Sequence, residues 1–428
     1  MRMAGEGGWS INVSRQWNRF INSSNFMHNT STQDLTISTN ISNWTNGGGL
    51  DFWNCSADDE YCDPTTLRLR RIVDKLDLYL IPAIIAIGLL GNFLSILVFS
   101  GTYLRRMSSS VYLTALAVTD IVFLLIILVT WLSNFDVVLV HTHVWCQLFV
   151  YLTYVTSFLS VWYVVCFTVE RHLTVCFPLK RQIICQPRRS KIVVGVLAGV
   201  AMILYSFALW TSNVDFVYDQ PTCGVHDEKY YDIVTNINNA DTLITLVLPA
   251  VIITVCNIRI SYALSKFYRS YQAVHVVARS NSTTGSLRST TGPALYSNSS
   301  YNRFQMRVTK MLLLVSSVFL LCNIPSHAIR VYAFSRMTLD DEFRPTHRLL
   351  LVQRLAMLLY YTGFSSNFIL YNISGRTFRR AFVRLFRCLA ARLVGFVCTR
   401  FIMIRSRHHA QPKTVIRLRF AGHDCAYN

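Results

Sequence analysis

The amino-acid sequence predicts an all-α membrane protein: a seven-transmembrane helix bundle plus a short amphipathic helix after the last span. Three observations lead there. First, 52% of the 428 residues are hydrophobic and only 15% are charged, whereas soluble proteins carry about 25% charged residues. So little charge cannot coat the two or three soluble domains that a chain of this length would form. Second, seven apolar runs of membrane-crossing length follow one another. Third, Lys and Arg collect in alternate loops between those runs. The formal net charge of +19 therefore belongs to loops and tail, and nucleic acid is a poor explanation for it.

The N-terminal segment, residues 1–77, is rich in Asn, Ser and Thr. It holds six N-x-S/T sequons, at Asn12, Asn22, Asn29, Asn40, Asn43 and Asn54, a cluster that suits a glycosylated extracellular segment. No apolar signal stretch precedes Leu78, so the first span is expected to serve as its own insertion signal. Residues 1–77 are read as mostly disordered, 78–371 as the bundle, and 372–428 as a cytoplasmic amphipathic helix and basic tail.

The runs are Leu78–Ser100, Val111–Leu132, Cys146–Thr168, Ile192–Trp210, Leu243–Ile260, Met311–Ala333 and Leu349–Tyr371. About 20 apolar residues cross the hydrocarbon core as a helix. A helix is required because lipid cannot satisfy exposed backbone groups. The fifth run is the most interrupted, with Asp241 at its head and Asn257 near its end. Pro249 and Pro325 favour kinks, and Gly195-x-x-x-Gly199 allows close helix approach, expected within the bundle.

Orientation follows from the loops. Arg105 and Arg106, then Arg171 to Lys191, then Arg259 to Lys310, then the Arg-rich tail all fall on one side. The opposite loop between spans four and five has Lys229 against Asp215, Asp219, Asp227 and Glu228. The tail is therefore expected inside and the N-terminus outside, in the plasma membrane. Arg68, Arg70, Arg71 and Lys75 before span one argue the other way, and the summed loops outweigh them.

Of 12 cysteines, Cys55, Cys62, Cys146 and Cys223 fall in oxidising space. A bridge between Cys146, which opens span three, and Cys223 would tie the following loop over the mouth of the bundle. Cys55 and Cys62 are close enough to bridge each other. Cys388 follows an Arg-rich amphipathic stretch, a context for either S-palmitoylation or a structural thiol. No Cys/His spacing suggests zinc, and no P-loop or hydrolase motif occurs, so no enzyme is expected.

Polar side chains inside spans are expensive and mark functional candidates. Asp120 lies mid-span in the second run, Asn92 in the first, Ser160 in the third and Asn367 in the seventh. Facing one another, they would form a polar chamber able to hold Na⁺. The alternative is a protonated Asp120 hydrogen-bonded with water.

The order and spacing of these residues resemble the rhodopsin-like (class A) G-protein-coupled receptors from about Leu78 to Cys388. Gly91-Asn92, Leu116-Ala117-x-x-Asp120, Glu170-Arg171-His172, Pro178, Pro249, Phe319 with Cys322-Asn323-Ile324-Pro325, Asn367-Phe368-Ile369-Leu370-Tyr371 and Phe378 match the family's motifs in sequence order. Cys176–Lys180 with Cys185 looks like the peptide-receptor branch, similar to receptors for FMRFamide-type and thyrotropin-releasing-hormone-type peptides. Departures are Asn323 for the span-six Trp, Phe368 for the span-seven Pro, Asn257 for the span-five Tyr, and a missing mid-helix Trp in span four.

The resemblance implies a receptor for an extracellular ligand that activates a heterotrimeric G protein, with arrestin and a receptor kinase as further partners. Glu170, Arg171, Pro178, Phe319, Asn323, Pro325, Asn367 and Tyr371 would carry coupling. Thr153 stands where amine receptors have Asp, which disfavours a small amine. Tyr154, Asp241, His327, Arg330, Gln353, Arg354, Met357 and Tyr361 join Thr153 as candidate ligand-binding residues. Their mixed charge suits a short peptide, although Asp241 could instead pair with Arg330 in the empty receptor. Ser282 and Ser289 follow basic residues in a Ser/Thr-rich loop and are candidate phosphorylation sites. A chemosensory receptor of the same fold and a transporter are the competing readings. A transporter would show inverted repeats, and a retinal pump would need a Lys in the last span, which has none.

Overall fold

The computed structural model describes residues 64–135, 142–177, 185–217, 220–225, 228–281, 293–339, 346–388 and 390–391. Helix α1 spans Pro64–Gly101, α2 Ser108–Leu132, α3 His143–Cys176 and α4 Pro187–Leu204, with a further turn at Ala208–Thr211. Strands β1, Asn213–Val217, and β2, Gln220–Gly224, form an antiparallel hairpin in which Val214 faces Cys223. Helix α5 runs as Glu228–Thr242, a π-helical turn at Leu243–Val247, and Leu248–Asn281. Helix α6 spans Pro293–Leu339, α7 His347–Ser374, and a short α8 covers residues 376–388.

Among the described residues, six helices are long and apolar enough to cross a membrane. Helix α7 is 28 residues long, with Gln353, Arg354 and Asn367 among its buried side chains. These polar residues dilute its hydropathy but face protein, so it completes the seven-helix bundle. Helix α3 is the hub, packing on α2, α4, α5 and α6, while α1 sits between α2 and α7. One apolar core surrounds α3 and includes Leu159, Val164 and Phe167; a second joins α1, α2 and α7 through Ile81, Phe123 and Phe364.

Local features follow from residue chemistry. Pro249 has no N–H to offer the carbonyl four residues back, and the wider π turn lies just before it, closed by Leu248 N–H on Leu243 O. Thr346 caps α7, its hydroxyl accepting from Leu349 N–H at 3.3 Å. At the other end of α7, a Cβ on Gly375 would lie 2.5 Å from both Met311 Sδ and Tyr371 O, so only glycine lets the chain turn there into α8. The Arg379 guanidinium donates to the terminal carbonyl of Ile373 at 2.8 Å. Pro325 lies inside α6, which continues through it.

One expectation changes. Gly195 and Gly199 meet nothing within 4 Å, and Val196, Val200 and Ile203 beside them are exposed. The small-residue stripe of α4 therefore faces outward rather than into the bundle.

Gly88 marks the tightest helix contact of α1. A Cβ there would meet Leu124 Cδ1 at 2.5 Å and Ser365 Cβ at 2.8 Å. Gly88→Ala is expected to destabilise the bundle by about 1–3 kcal/mol, read as a lower unfolding temperature of the purified protein; an unchanged temperature would show that α1, α2 and α7 separate freely.

Candidate functional site

Polar side chains gather at three depths of the bundle. At the end carrying the hairpin, the Cys146–Cys223 disulfide, with Cα atoms 5.6 Å apart, fixes β2 to the first turn of α3. Cys146 is fully buried. The hairpin is thus held over the helix ends, where the candidate ligand-binding residues lie.

Aromatic packing organises that end. Tyr154 on α3 stacks on Tyr205 with centroids 5.4 Å apart and donates to Asn238 Oδ1 on α5 at 2.8 Å. Tyr205 in turn donates to Asp241 Oδ1. Asp241 is therefore held from α4 by a phenol rather than by Arg330: among the described residues no ion pair within 4.0 Å joins it to Arg330, although the two interact electrostatically. The Arg330 guanidinium instead points at Met357 Sδ, 3.7 Å away. Ser326 donates to the same sulfur at 3.1 Å, and Gln353 Nε2 donates to Ser326 at 3.3 Å. Among the described residues, Gln353 Oε1 and His327 Nδ1 are buried with no hydrogen-bond partner. Tyr360 links α7 to α3 through Ser157 at 3.2 Å and lies edge-on to His327.

Two further candidates are differently engaged. Thr153 donates to Phe149 O of its own helix at 2.7 Å. Arg354 is bound by two carboxylates of α1, with Nε 2.8 Å from Asp77 Oδ2 and Nη1 2.7 Å from Asp74 Oδ1. Arg354 and Asp77 are only 7% and 5% exposed at their side chains. Arg354 is thus a clasp between α1 and α7. Tyr361 packs into the α1–α2–α7 core against Phe123.

At mid-depth Asp120 is fully buried. Ser160 donates to its Oδ1 at 3.0 Å and Asn367 to its Oδ2 at 2.7 Å, which joins α2, α3 and α7. Asn92 stands apart from the carboxylate, donating to Phe364 O at 2.9 Å while its Oδ1 has no donor. Asn323 donates to Phe319 O of its own helix at 2.7 Å. Phe368 fills the space over Gly91, whose Cβ would lie 2.9 Å from Phe368 Cβ.

At the opposite end Glu170 and Arg171 form a buried pair at 2.6 Å. Ser109 on α2 bridges both, and Ser190 on α4 donates to Glu170 Oε2 at 3.5 Å. Tyr371 is 1% exposed, in edge contact with Phe99 and tilted against Phe378 of α8. Pro178, Ser282, Ser289, Cys55, Cys62 and the six N-terminal sequons lie outside the described residues.

Sequence reasoning passed over Asp74, Asp77, Ser109, Ser190, Tyr205 and Asn238. A pair of acids three apart at the outer turn of α1 was the available signal for the clasp. The serines and Tyr205 carry no sequence mark, because short hydroxyls are common in spans.

Residues 91–371 match the family described as 7 transmembrane receptor (rhodopsin family). The chain is 28% identical over 326 residues to the thyrotropin-releasing hormone receptor of Gallus gallus, covering 72% of this chain and 78% of that one. It is 26% identical over 343 residues to the Homo sapiens thyrotropin-releasing hormone receptor, covering 76% and 82%. Against the Homo sapiens growth hormone secretagogue receptor type 1 it is 24% identical over 315 residues, covering 71% and 78%.

The clasp makes a direct stability prediction. Arg354→Met leaves Asp77 buried without its partner and is expected to cost about 3–5 kcal/mol. Adding Asp77→Asn is expected to recover part of it. Thermal unfolding of the purified variants measures both; a wild-type melting curve for Arg354→Met would show that α1 is held by other contacts.

Proposed function

This chain belongs to the rhodopsin family of seven-transmembrane receptors, and from that premise we propose that it binds a short extracellular peptide and activates a heterotrimeric G protein. Three of the relatives above are receptors for thyrotropin-releasing hormone or growth hormone secretagogues. The observation that carries the peptide reading is that, among the described residues, neither Asp241 nor Arg330 has an ion-pair partner within 4.0 Å. Opposite charges lie at the same end of the bundle, among Tyr154, Tyr205 and Tyr360, with a phenol on one and a thioether on the other. A lipid would leave both charges unmatched. A peptide carries basic groups for Asp241 and carbonyl or acidic groups for Arg330.

The hairpin end is then the extracellular face, and the end with Glu170, Arg171 and α8 is cytoplasmic, in the plasma membrane. Loop charge supports this orientation, since Arg105, Arg106, Arg188 and Arg189 all lie at the latter end. Within the receptor reading, the Glu170–Arg171 pair holds the inactive packing. Ligand binding favours a second packing in which α6 swings outward and Arg171 meets the G protein. Ser109 and Ser190 are positioning residues: they aim the Glu170 carboxylate at Arg171. Arrestin and a receptor kinase would act on Ser282 and Ser289 of the loop between α5 and α6.

The mid-depth chamber also suits Na⁺. Asp120 supplies the only charge needed, Ser160 a hydroxyl oxygen, and Asn92 an amide oxygen that is buried without a donor. Asn367 would have to turn its amide oxygen toward the ion, because it now presents Nδ2 to Asp120. A bound cation would stabilise the inactive packing by neutralising the carboxylate in place.

The reading is tested by a calcium and cyclic-AMP screen against amidated neuropeptides in cells displaying the chain; responses only to odorant-like small molecules would replace it. Glu170→Gln is expected to raise basal signalling, normalised to surface expression, and an unchanged basal level would remove Glu170 from the lock. Once an agonist is in hand, Asp241→Lys is expected to abolish the response to a basic peptide, and unchanged potency would take Asp241 out of the site.

A further inference from the structure

Asn257 stands on α5 where the family has a tyrosine, and the activation scheme above gives it no part. In the structure it faces Ser316 on α6. Asn257 Nδ2 donates to Ser316 Oγ at 3.0 Å. The single proton of that hydroxyl has two acceptors, Asn257 Oδ1 at 3.2 Å and Leu313 O at 3.1 Å. We infer that this amide–hydroxyl pair is a latch that holds α6 against α5, so that opening the cytoplasmic end requires breaking it. The inference rests on the receptor reading for its consequence, not for its geometry.

The surroundings give the pair its weight. Ser316 is fully buried, with Leu312 and Val315 on α6 and Ile253 and Ile260 on α5 buried beside it. Separation leaves the buried Ser316 hydroxyl among apolar side chains, while Asn257 on α5 is half-buried. Among the described residues α5 and α6 touch little elsewhere, whereas α6 packs extensively on α7. Toward the hairpin end, Ser326 and Arg330 of α6 also reach Met357. Asn323, the departure on α6, spends its amide on its own backbone at Phe319. Ser316 is nine residues before Pro325, about 14 Å along the axis, on the cytoplasmic segment that a hinge at Pro325 would swing. The latch therefore sits on the moving arm, well away from its pivot.

The experiment measures the α5–α6 separation directly. Spin labels are placed through non-canonical amino acids at Tyr262 and Lys310 of the full chain in lipid nanodiscs, and distance distributions are recorded without ligand. An interhelical hydrogen bond of about 0.6 kcal/mol corresponds to about a threefold change in population. Ser316→Ala and Asn257→Leu are each expected to raise the long-distance fraction about threefold, and the double variant no further than either alone. Ser316→Thr, which keeps the hydroxyl, is expected to stay at the wild-type level. Unchanged distances in both single variants, or effects that add in the double variant, overturn the latch. Basal G-protein activation in cells is read separately: longer distances with no signalling from any variant, Glu170→Gln included, would take down the receptor reading and leave the latch standing.

Discussion

Hydrocarbon offers a polar atom nothing to bond to, and what is specific about this bundle follows from where its buried polar side chains find partners. Apolar packing would tolerate many arrangements of seven greasy helices. The polar groups remove that freedom. Asp120 draws α3 and α7 to α2 through Ser160 and Asn367. Arg354 draws α1 to α7 through Asp74 and Asp77. Glu170 draws α2 and α4 toward the end of α3 through Ser109 and Ser190. Each of these contacts joins helices distant in sequence, and each would be costly to leave half-made.

The same constraint explains why α3 can relay information. It carries Cys146 at one end, Tyr154 near it, Ser160 at mid-depth and Glu170–Arg171 at the other end. One stiff helix thus touches the hairpin, the aromatic cluster around Asp241, the Asp120 chamber and the charged pair. A change of packing at the hairpin end meets one continuous helix to the opposite end, and coupling along it is a matter for energetics and not for proximity.

The departures from the family's motifs have local consequences that can be read from contacts. Phe368 replaces a proline with a ring that packs on Gly91 and on Phe378 and Phe382 of α8. It ties α7 to both neighbours where a proline would have bent the helix. Asn323 replaces a large indole with a small amide, beside Gly363 on α7. Together they put a small amide on α6 and an aromatic ring on α7 where the family has an indole and a proline. Asn257 on α5, the departure from the span-five tyrosine, meets Ser316 on α6 through hydrogen bonds.

By itself the sequence determined the class of fold, because span length and the spacing of apolar residues answer to the thickness of a bilayer and need no knowledge of neighbours. It also named Asp120 as the residue that must be paired, since a mid-span carboxylate is rare enough to stand out. The partners were another matter. Nothing local says that Arg354 is bound by acids some 280 residues earlier, that Asp241 is held by Tyr205 and not Arg330, or that Gly195 and Gly199 face outward. A residue type states what contact it can make, but a helix has several faces, and only the tertiary packing decides which neighbour each face meets.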